Sequence, residues 1–369
     1  MNQIKKLFTP GPLTTSDTVR SAAGIDLGSR DFQFISIVKQ IREELLELGH
    51  ANAADYQTIL IQGSGTFGVE SVISSSIPPE GKLLNIINGA YGQRISQMAR
   101  IHQIPLVELI YEENQVPEVN DVEALLEEDS SITHIAMVHG ETTTGLLNPI
   151  AKVGMLAKIY HKTYIVDAMS TFGAYPISLV ENNIDFLISS SNKCIEGIPG
   201  FSFVLARRQA LEACKGNARS LSLDLYAQWK GLEENGQFRF TPPVQSLLAF
   251  KTALDELTKE GGVEARGRRY AENNRILMQG MLSMGFEQYL SDENRSYIIT
   301  SFLYPNHPSF DFNRFYSLLN EKGFVIYPGK LSKVDCFRIG NIGQLFPGDL
   351  AALLEAIRLT LNEMEINLL

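Results

Sequence analysis

The sequence predicts an α/β fold, in which a mostly parallel sheet flanked by helices forms a large domain and a smaller α+β domain follows. Short apolar runs alternate with helical patterns from Gln57 to Phe201. Strands that are separated by helices at this spacing form parallel sheets with helices on both faces. Beyond about Asn273 fewer helices separate the apolar runs, which is typical of an α+β unit. A chain of 369 residues is long enough for two such domains.

The chain is predicted to divide into an N-terminal arm at residues 1–20, a large domain at 21–260 and a small C-terminal domain at 261–369. In the arm, two prolines flank a glycine within residues 8–14, so this segment is predicted to be extended rather than helical. The second boundary falls at the Gly261–Gly262 break within a long helical region.

The first predicted element of the large domain is an amphipathic helix. Apolar residues recur at helical spacing from Phe34 to Leu48, and Gly49 ends the pattern. The strands predicted after it are 58–61, 83–88, 106–110, 134–139, 164–166, 186–188 and 201–206. The small domain is predicted to hold strands at 297–305, 324–329 and 337–340, and helices that begin near 311 and 347.

Composition and charge argue against several classes of partner and site. The 32 basic and 42 acidic residues give a net charge of −10 without any Lys/Arg block, so neither nucleic acid nor a membrane surface is expected as a partner. The N-terminus has no apolar segment typical of a signal peptide, and no apolar run approaches the roughly 20 residues of a membrane span. Three cysteines without a CxxC pair predict neither disulfides nor a metal site, and indicate the reducing cytoplasm.

An acid and an amine follow two of the predicted strands. The strand at 164–166 ends on Asp167, and the strand at 186–188 leads through three serines and Asn192 to Lys193. Ligands of open α/β sheets bind outside the carboxyl ends of the strands, so both groups are expected in one crevice. Pyridoxal 5′-phosphate (PLP) requires an amine that forms a Schiff base and an acid that faces its pyridinium nitrogen. The alternative is an ordinary strand-end Asp and a surface Lys.

A glycine-rich segment at 62–68 lies between a predicted strand and a predicted helix. Its glycines let the backbone approach a phosphate, and Ser64, Thr66 and the helix N-terminus supply donors. The spacing also matches G-x-G-x-x-G, which is typical of NAD-dependent dehydrogenases. That motif expects an acidic residue about 20 positions later, whereas the next strand here ends on Asn88 and Gly89. A monophosphate site is therefore favoured, and a turn without a ligand is the remaining alternative.

Three further side chains are candidates for the same crevice. Thr142 follows a strand and could bond to the phenolic oxygen of PLP, whereas Thr143 and Thr144 are expected to cap a helix. Tyr91 could stack on the pyridine ring or belong to the core. Arg338, alone in an apolar strand, could bind a substrate carboxylate or phosphonate bidentately, or form an internal salt bridge.

Eight segments carry a resemblance to a known family. They are TPGPLT, GSGTFGVES, NGAYGQR, HGETTTGLLNPI, VDAMSTFG, SSNKCIEGIPGF, FTPPV and FRIGNIG. Together, and in this order along nearly the whole chain, they resemble the 2-aminoethylphosphonate–pyruvate aminotransferases. This family belongs to the alanine–glyoxylate branch of the fold-type-I PLP enzymes.

The resemblance implies transfer of the amine of 2-aminoethylphosphonate to pyruvate, with phosphonoacetaldehyde and L-alanine as products. It also implies PLP as cofactor and a homodimer with active sites at the subunit interface. The main alternative within the fold is an alanine– or serine–glyoxylate aminotransferase. An NAD-dependent dehydrogenase is the alternative from another class.

The resemblance also assigns roles to residues around the cofactor. Lys193 matches the Schiff-base lysine, and Asp167 matches the partner of the pyridinium nitrogen. The phosphate loop is matched by Ser64, Gly65 and Thr66. Thr142 matches the residue near the phenolic oxygen of PLP, and Asn192 matches a polar contact to the phosphate.

Other matches concern stacking, the neighbouring subunit and the substrate. Tyr91 falls where alanine–glyoxylate enzymes have a stacking Trp, and Phe238 where they have a phosphate-binding tyrosine. Thr241 matches a threonine that reaches the phosphate from the neighbouring subunit. Arg338 matches the arginine that binds the substrate acid group. A further hypothesis is that the backbone of the arm near Gly11 closes the site.

Overall fold

The structure is a computed structural model, which describes residues 5–329, 331 and 333–368. The first four residues of the expected arm lie outside this part. The strands are β1 Lys6–Leu7, β2 Tyr56–Gln62, β3 Leu83–Ile87, β4 Leu106–Ile110, β5 His134–Val138, β6 Gly140–Glu141, β7 Leu146–Leu147, β8 Thr163–Asp167, β9 Phe186–Ser190, β10 Phe201–Arg207, β11 Ile299–Leu303, β12 Phe324–Val325, β13 Tyr327–Pro328 and β14 Cys336–Gly340. The helices are α1 Asp17–Ala22, α2 Phe32–Leu48, α3 Gly65–Ser76, α4 Ala90–Ile101, α5 Val119–Glu128, α6 Ile150–Ile159, α7 Arg208–Ala213, α8 Leu225–Asn235, α9 Val244–Glu260, α10 Gly262–Ser283, α11 Phe312–Glu321 and α12 Pro347–Glu363.

The large sheet has the strand order β2-β10-β9-β8-β5-β3-β4. Strands β9, β8, β5, β3 and β4 are mutually parallel, whereas β10 is antiparallel to both of its neighbours. The prediction of a mostly parallel sheet is therefore confirmed. Because β10 runs opposite to both β2 and β9, β2 points in the same direction as β9. The carboxyl ends of all these strands except β10 thus meet at one edge of the sheet.

Helices cover the large sheet with their apolar faces. The predicted helix before the sheet is confirmed as α2, which buries Phe34, Val38, Ile41 and Leu45 and ends at Gly49. Spacing of three or four residues places these side chains on one face of a helix, which explains the position of α2 against the core. No helix in the described part of the chain is long and apolar enough to cross a membrane.

Two large clusters of buried apolar side chains, and a third small one that includes Leu13 and Cys194, lie in the described part of the chain. The larger cluster surrounds the large sheet and includes side chains of α9, such as Leu247 and Phe250. The second large cluster, called the C-terminal cluster below, contains Leu277 and Met281 of α10 together with residues of β11, β14, α11 and α12. Strands β11, β14 and β13 form a small antiparallel sheet beside this cluster. The domain boundaries near residues 20 and 260 stay a prediction.

The N-terminal segment is tied to the C-terminal cluster. As predicted, residues 8–14 contain no helix. Strand β1 pairs in parallel with β12, and Phe8 is fully buried in the C-terminal cluster. The Phe8 N–H donates to the carbonyl of Val325 at 2.8 Å, and the Phe8 carbonyl accepts from the N–H of Gly340 at 3.0 Å. These bonds fix the position of Pro10 and Gly11, which follow directly.

Replacing Phe8 by Ala should lower the free energy of unfolding by about 3–5 kcal/mol, because the lost ring leaves a cavity in a packed cluster. The matched control is Ile101→Ala, since Ile101 is 73 % exposed and its truncation should change stability by about 0.5 kcal/mol or less. Urea unfolding followed by far-UV circular dichroism measures both values. Equal losses in the two variants would contradict the anchoring of the arm.

Candidate active site

A cavity of about 180 Å³ opens at the carboxyl edge of the large sheet. Seven residues predicted for the site line it: Ser64, Gly65, Thr66, Tyr91, Asp167, Asn192 and Lys193. The other lining residues are Val69, Arg94, Ile95, Met98, Met169 and Ser190. The expected meeting of the acid, the amine and the glycine-rich loop in one crevice is therefore observed.

Asp167 is the last residue of β8 and is buried. Burial raises the pKa of its carboxyl from 3.8 to about 6, and the N–H of Met169, which donates to Oδ1 at 2.9 Å, opposes this shift. The positive charges of Lys193 and Arg94 also oppose it. A carboxyl in this environment gains stability from a cation that a ligand places beside it.

Lys193 extends from the loop after β9 into the same cavity. Its Nζ donates to the carbonyl of Pro10 at 2.7 Å. Removal from water lowers the pKa of the amine from 10.5 to about 8, with a further lowering by Arg338, whereas Cys194 and Asp167 act in the opposite direction. The amine is therefore closer to its neutral, nucleophilic form than an ordinary lysine is.

Gly11 lies directly against this amine. A Cβ added at Gly11 would be 2.8 Å from Nζ of Lys193, and the φ of Gly11 is +125°, in the left-handed region that favours glycine. Both observations require glycine at this position. The structure thus brings the arm and the amine together, and closure of the site by the arm stays a prediction.

A buried charged network holds the loop that carries Lys193. The N–H of Glu196 donates to the Lys193 carbonyl at 2.8 Å, and Nη1 of Arg266 donates to the Cys194 carbonyl at 2.6 Å. Nη2 of Arg269 donates to Oε1 of Glu196 at 2.8 Å. No local sequence pattern indicates this network, because its arginines lie on α10, some 70 residues after the loop.

The glycine-rich loop forms the side of the cavity next to α3. Gly63 has a φ of +109°, and a Cβ at Gly65 would overlap the side chain of Met169. Ser64 is the N-cap residue of α3, and its hydroxyl makes no capping bond to the helix. The first amides of a helix have no partner within the helix. An anion can therefore bind at the N-terminus of α3.

Tyr91 and Arg94 enter the cavity from the first two turns of α4. The guanidinium carbon of Arg94 lies 4.9 Å from the centre of the Tyr91 ring, and its Nη1 donates to Oγ1 of Thr66 at 3.2 Å. Arg94 thus adds a positive charge beside the glycine-rich loop. Arg94 was not among the predicted site residues. The signal for it in the sequence is its spacing of three residues from Tyr91 at the start of a helix.

Arg338 is buried in β14 and lies outside the lining of the cavity. Its Nη1 donates to the carbonyl of Thr142 and its Nε to that of Pro328, both at 3.0 Å, and its guanidinium carbon lies 5.0 Å from the Tyr327 ring centre. Within the described residues it forms no ion pair and its Nη2 makes no hydrogen bond. The alternative role of Arg338, an internal salt bridge, is therefore not found among the described residues.

The threonines after β5 lie in the hairpin formed by β6 and β7. Thr142 is buried, and its carbonyl bonds to Arg338. Thr143 donates its hydroxyl to Oε1 of Glu141 at 2.8 Å, and Thr144 donates to the Glu141 carbonyl at 3.3 Å. The expected helix caps at Thr143 and Thr144 are wrong, because these hydroxyls stabilise the hairpin instead.

Thr241 does not lie in the cavity of its own chain. It is exposed in a separate surface groove that Arg30 and Phe238 also line. Its carbonyl accepts from Nε2 of Gln62 at 3.4 Å, next to the glycine-rich loop. The expected contact of Thr241 with a phosphate in a neighbouring subunit stays a prediction.

The comparisons with known proteins agree with this geometry. The family model for class-V aminotransferases matches residues 18–336. A 2-aminoethylphosphonate–pyruvate transaminase from Salmonella heidelberg is 52 % identical over 363 residues, which are 97 % of this chain and 98 % of the relative. Identity at this level over both full lengths identifies the family.

Solved structures agree on the fold. The crystal structure of ureidoglycine–glyoxylate aminotransferase from Bacillus subtilis superposes with a TM-score of 0.90 at 22 % identity, covering 99 % of this chain and 95 % of that one. A PLP-bound phosphoserine aminotransferase from Trichomonas vaginalis gives 0.76 at 16 % identity, covering 95 % and 99 %. The predicted fold type I is thereby confirmed. The chain belongs to the class-V aminotransferases and, within them, to the 2-aminoethylphosphonate–pyruvate transaminase family.

Proposed function

We propose that this protein is a PLP-dependent enzyme that transfers the amine of 2-aminoethylphosphonate to pyruvate and yields phosphonoacetaldehyde and L-alanine. The observation that carries the proposal is the convergence of Lys193, Asp167 and the N-terminus of α3 on one cavity. Identity of 52 % along 97 % of the chain to a transaminase of that name supports the substrate assignment.

The residues of the cavity fit PLP. Ser64, Thr66 and the N-terminus of α3 would hold the phosphate, and Arg94 adds a positive charge there. Asp167 would hold the ring nitrogen. When bound, PLP supplies an aldehyde for a primary amine and a protonated ring that withdraws electrons from the carbon next to that amine. The PLP-bound aminotransferase of the same fold supports this cofactor.

Two side chains would move or hold protons. Asp167, as a carboxylate, favours the protonated form of a ring nitrogen beside it. Lys193 would accept a proton at Nζ from the substrate carbon that carries the amine, and the protonated Nζ would then donate this proton to the carbon of the bound PLP that had carried the aldehyde. Its lowered pKa keeps a useful fraction of the amine neutral near neutral pH. The Pro10 carbonyl orients the amine without giving it a negative partner.

Arg338 is our candidate for binding both substrate acid groups in turn. Its Nε and Nη1 donate to the carbonyls of Pro328 and Thr142, which fixes the plane of the guanidinium. The arm near Gly11 would close the site, since it already contacts Lys193. A phosphonate and a carboxylate both present anionic oxygen acceptors to an arginine, so one cation can serve both half-reactions.

The comparison of amino donors tests the proposed substrate. With pyruvate as acceptor, kcat/KM for 2-aminoethylphosphonate should exceed by about 100-fold the values for L-alanine or L-serine with glyoxylate, because a carboxylate lacks the third oxygen of a phosphonate and leaves donors arranged for that oxygen unpaired. Arg338→Gln should lower the phosphonate value by about 100-fold. Arg275→Gln, at an exposed arginine paired with Glu272, should have no effect. Higher values for the glyoxylate reactions would favour the alternative aminotransferase, and binding of NAD without PLP would favour a dehydrogenase.

The rate of covalent PLP capture by the PLP-free protein should rise with pH through a midpoint near 8 and level off about one pH unit higher. The pKa of Lys193 is lowered to about 8, so the neutral amine that attacks the aldehyde is a minor form below this pH and the major form above it. Stopped-flow absorbance between pH 6.5 and 9.5 measures the rate. Lys193→Ala, as control, should show no covalent phase, and a rate that is flat across the range would contradict the assignment.

The enzyme is further proposed to be a homodimer with sites at the interface. Large apolar side chains near the cavity are exposed, among them Phe67 on α3, Phe240 and, at 75 % exposure, Leu221. Arg239, which neighbours Phe240, donates to the Leu221 carbonyl at 3.0 Å, and Gln62 donates to the Phe240 carbonyl at 3.0 Å, so these residues lie close together. Exposed apolar groups of this size support a protein interface, and Thr241 lies in the same region.

Mixing two inactive variants tests the interface site. Lys193→Ala lacks the amine, and Thr241→Asp places a negative charge where the partner's phosphate is expected. Random mixed dimers would hold one intact site each, so activity should recover to about one quarter of the wild-type value. Light scattering measures the dimer. Lys193→Ala mixed with the double variant is the control without an intact site, and mixed dimers that stay inactive would contradict the proposal.

We expect the enzyme to act in the cytoplasm without a nucleic-acid or membrane partner. Its cysteines Cys194, Cys214 and Cys336 are buried, and its net charge is −10. These properties support a reducing compartment and repulsion from anionic surfaces. Recovery of the activity in the membrane pellet after cell lysis would contradict this expectation.

A further inference from the structure

Glu141 is fully buried in the β6–β7 hairpin and faces the start of α4. Its Oε2 accepts from the N–H of Tyr91 at 3.2 Å. Burial raises the pKa of the Glu141 carboxyl to about 7, and hydrogen bonds from Thr143 and from the amide of Gly92 oppose this shift. Tyr91 and Gly92 are the second and third residues of α4, and their amides are the ones that an N-cap side chain normally binds. Glu141 therefore caps α4 from a segment 50 residues away.

The N-cap residue of α4 itself, Gly89, has no side chain that could do this. Its backbone is extended, with φ 176° and ψ −178°, so the conformation does not require glycine. The lack of space does require glycine, because a Cβ at Gly89 would overlap Cγ and Cδ of Glu141 and lie 2.7 Å from its Oε2. Gly89 and Glu141 are thus a matched pair, in which the distant carboxylate occupies the place of the missing local cap.

The capped end of α4 carries two side chains of the cavity, Tyr91 and Arg94. The residue after Glu141, Thr142, accepts a hydrogen bond from Nη1 of Arg338 at 3.0 Å. The hairpin therefore contacts the cavity end of α4 with one residue and the expected substrate arginine with the next. A shift of the hairpin relative to α4 would move both groups.

We propose that Glu141 is a positioning residue, which holds Tyr91 and Arg94 in the cavity and fixes them relative to Arg338 by capping α4 from the hairpin. The proposal rests on the proposed function of the cavity as a PLP site. Glu141 need not touch cofactor or substrate, because its effect passes through the first turn of α4.

Glu141→Ala and Gly89→Ser, alone and combined, test the proposal. Each single change should raise the Kd for PLP about five- to tenfold, since one removes the cap and the other pushes the carboxylate away. In the double variant the introduced serine has the vacated space and supplies a local cap, so the Kd should return to within about twofold of wild type. The induced circular dichroism of bound PLP, which reports ring orientation, should change in the singles and recover in the double.

Hydrogen exchange of residues 88–98 in the PLP-free full chain gives a readout that does not depend on the cofactor. Exchange should be faster in Glu141→Ala and slower again in the double variant. Glu70→Ala is the matched control, because Oε1 of Glu70 contacts Nε2 of His102 at the other end of α4. It should leave PLP binding and the exchange of residues 89–92 unchanged. If Glu141→Ala does not fold, Glu141→Gln, which keeps the shape and one acceptor oxygen, should give a smaller change in the same direction.

An unchanged Kd for PLP and an unchanged circular dichroism in Glu141→Ala would overturn the positioning role. The proposed function would still stand in that case if the wild type binds PLP and transaminates. Losses in both singles without recovery in the double would also overturn it, because the cap would then not be the cause. A wild-type chain that takes up no PLP would overturn the proposed function, and this inference with it.

Discussion

The site depends on an amine and a carboxylate that share one cavity without forming an ion pair. Asp167 and Lys193 are both described, and no salt bridge joins them; the amine donates to the Pro10 carbonyl instead. An ion pair would lower the pKa of the acid and raise that of the amine. Burial has the opposite effect on both groups and outweighs their attraction, so the two pKa values lie at about 6 and about 8.

This arrangement is assembled from segments that are far apart in the sequence. Phe8 anchors the arm in the C-terminal cluster, and the arm then passes Lys193 at Pro10 and Gly11. Nη1 of Arg269 donates to the Gly343 carbonyl at 2.6 Å, and its Nη2 to Glu196, so the lysine loop is tied to the segment that follows β14. The C-terminal part of the chain therefore determines the environment of an amine that follows a strand of the large sheet.

The sequence predicted the features that depend on local patterns. Apolar runs and helical spacing located α2 and the strands of the large sheet, and strand ends located Asp167 and Lys193, because side-chain periodicity follows directly from backbone geometry. The antiparallel direction of β10 carries no such local signal. Glu141 and Glu196 were missed for the same reason: their roles arise from contacts with α4 and α10, which only the folded chain brings near.

Arg338 was predicted only in part, because its burial follows from a local pattern whereas its partners depend on the folded chain. Its place in an apolar strand indicated that it needed partners, and the sequence could not distinguish a carboxylate from other acceptors. The structure gives it two backbone carbonyls and an aromatic ring. Carbonyls satisfy a guanidinium without cancelling its charge, so a buried positive charge persists near the amine and lowers the pKa of Lys193.

The two shifted groups also make the protein less stable at neutral pH than ordinary Asp and Lys residues would. The folded pKa of Lys193 lies below 10.5, so its contribution to stability improves as pH rises from about 8 to 10.5. The folded pKa of Asp167 lies above 3.8, so its contribution worsens as pH rises from 3.8 to about 6. At pH 7 both penalties are present, each on the order of 3 kcal/mol. A ligand that places a cation beside Asp167 and bonds covalently to the amine of Lys193 removes both penalties. Binding of such a ligand and folding stability are therefore coupled through these two residues.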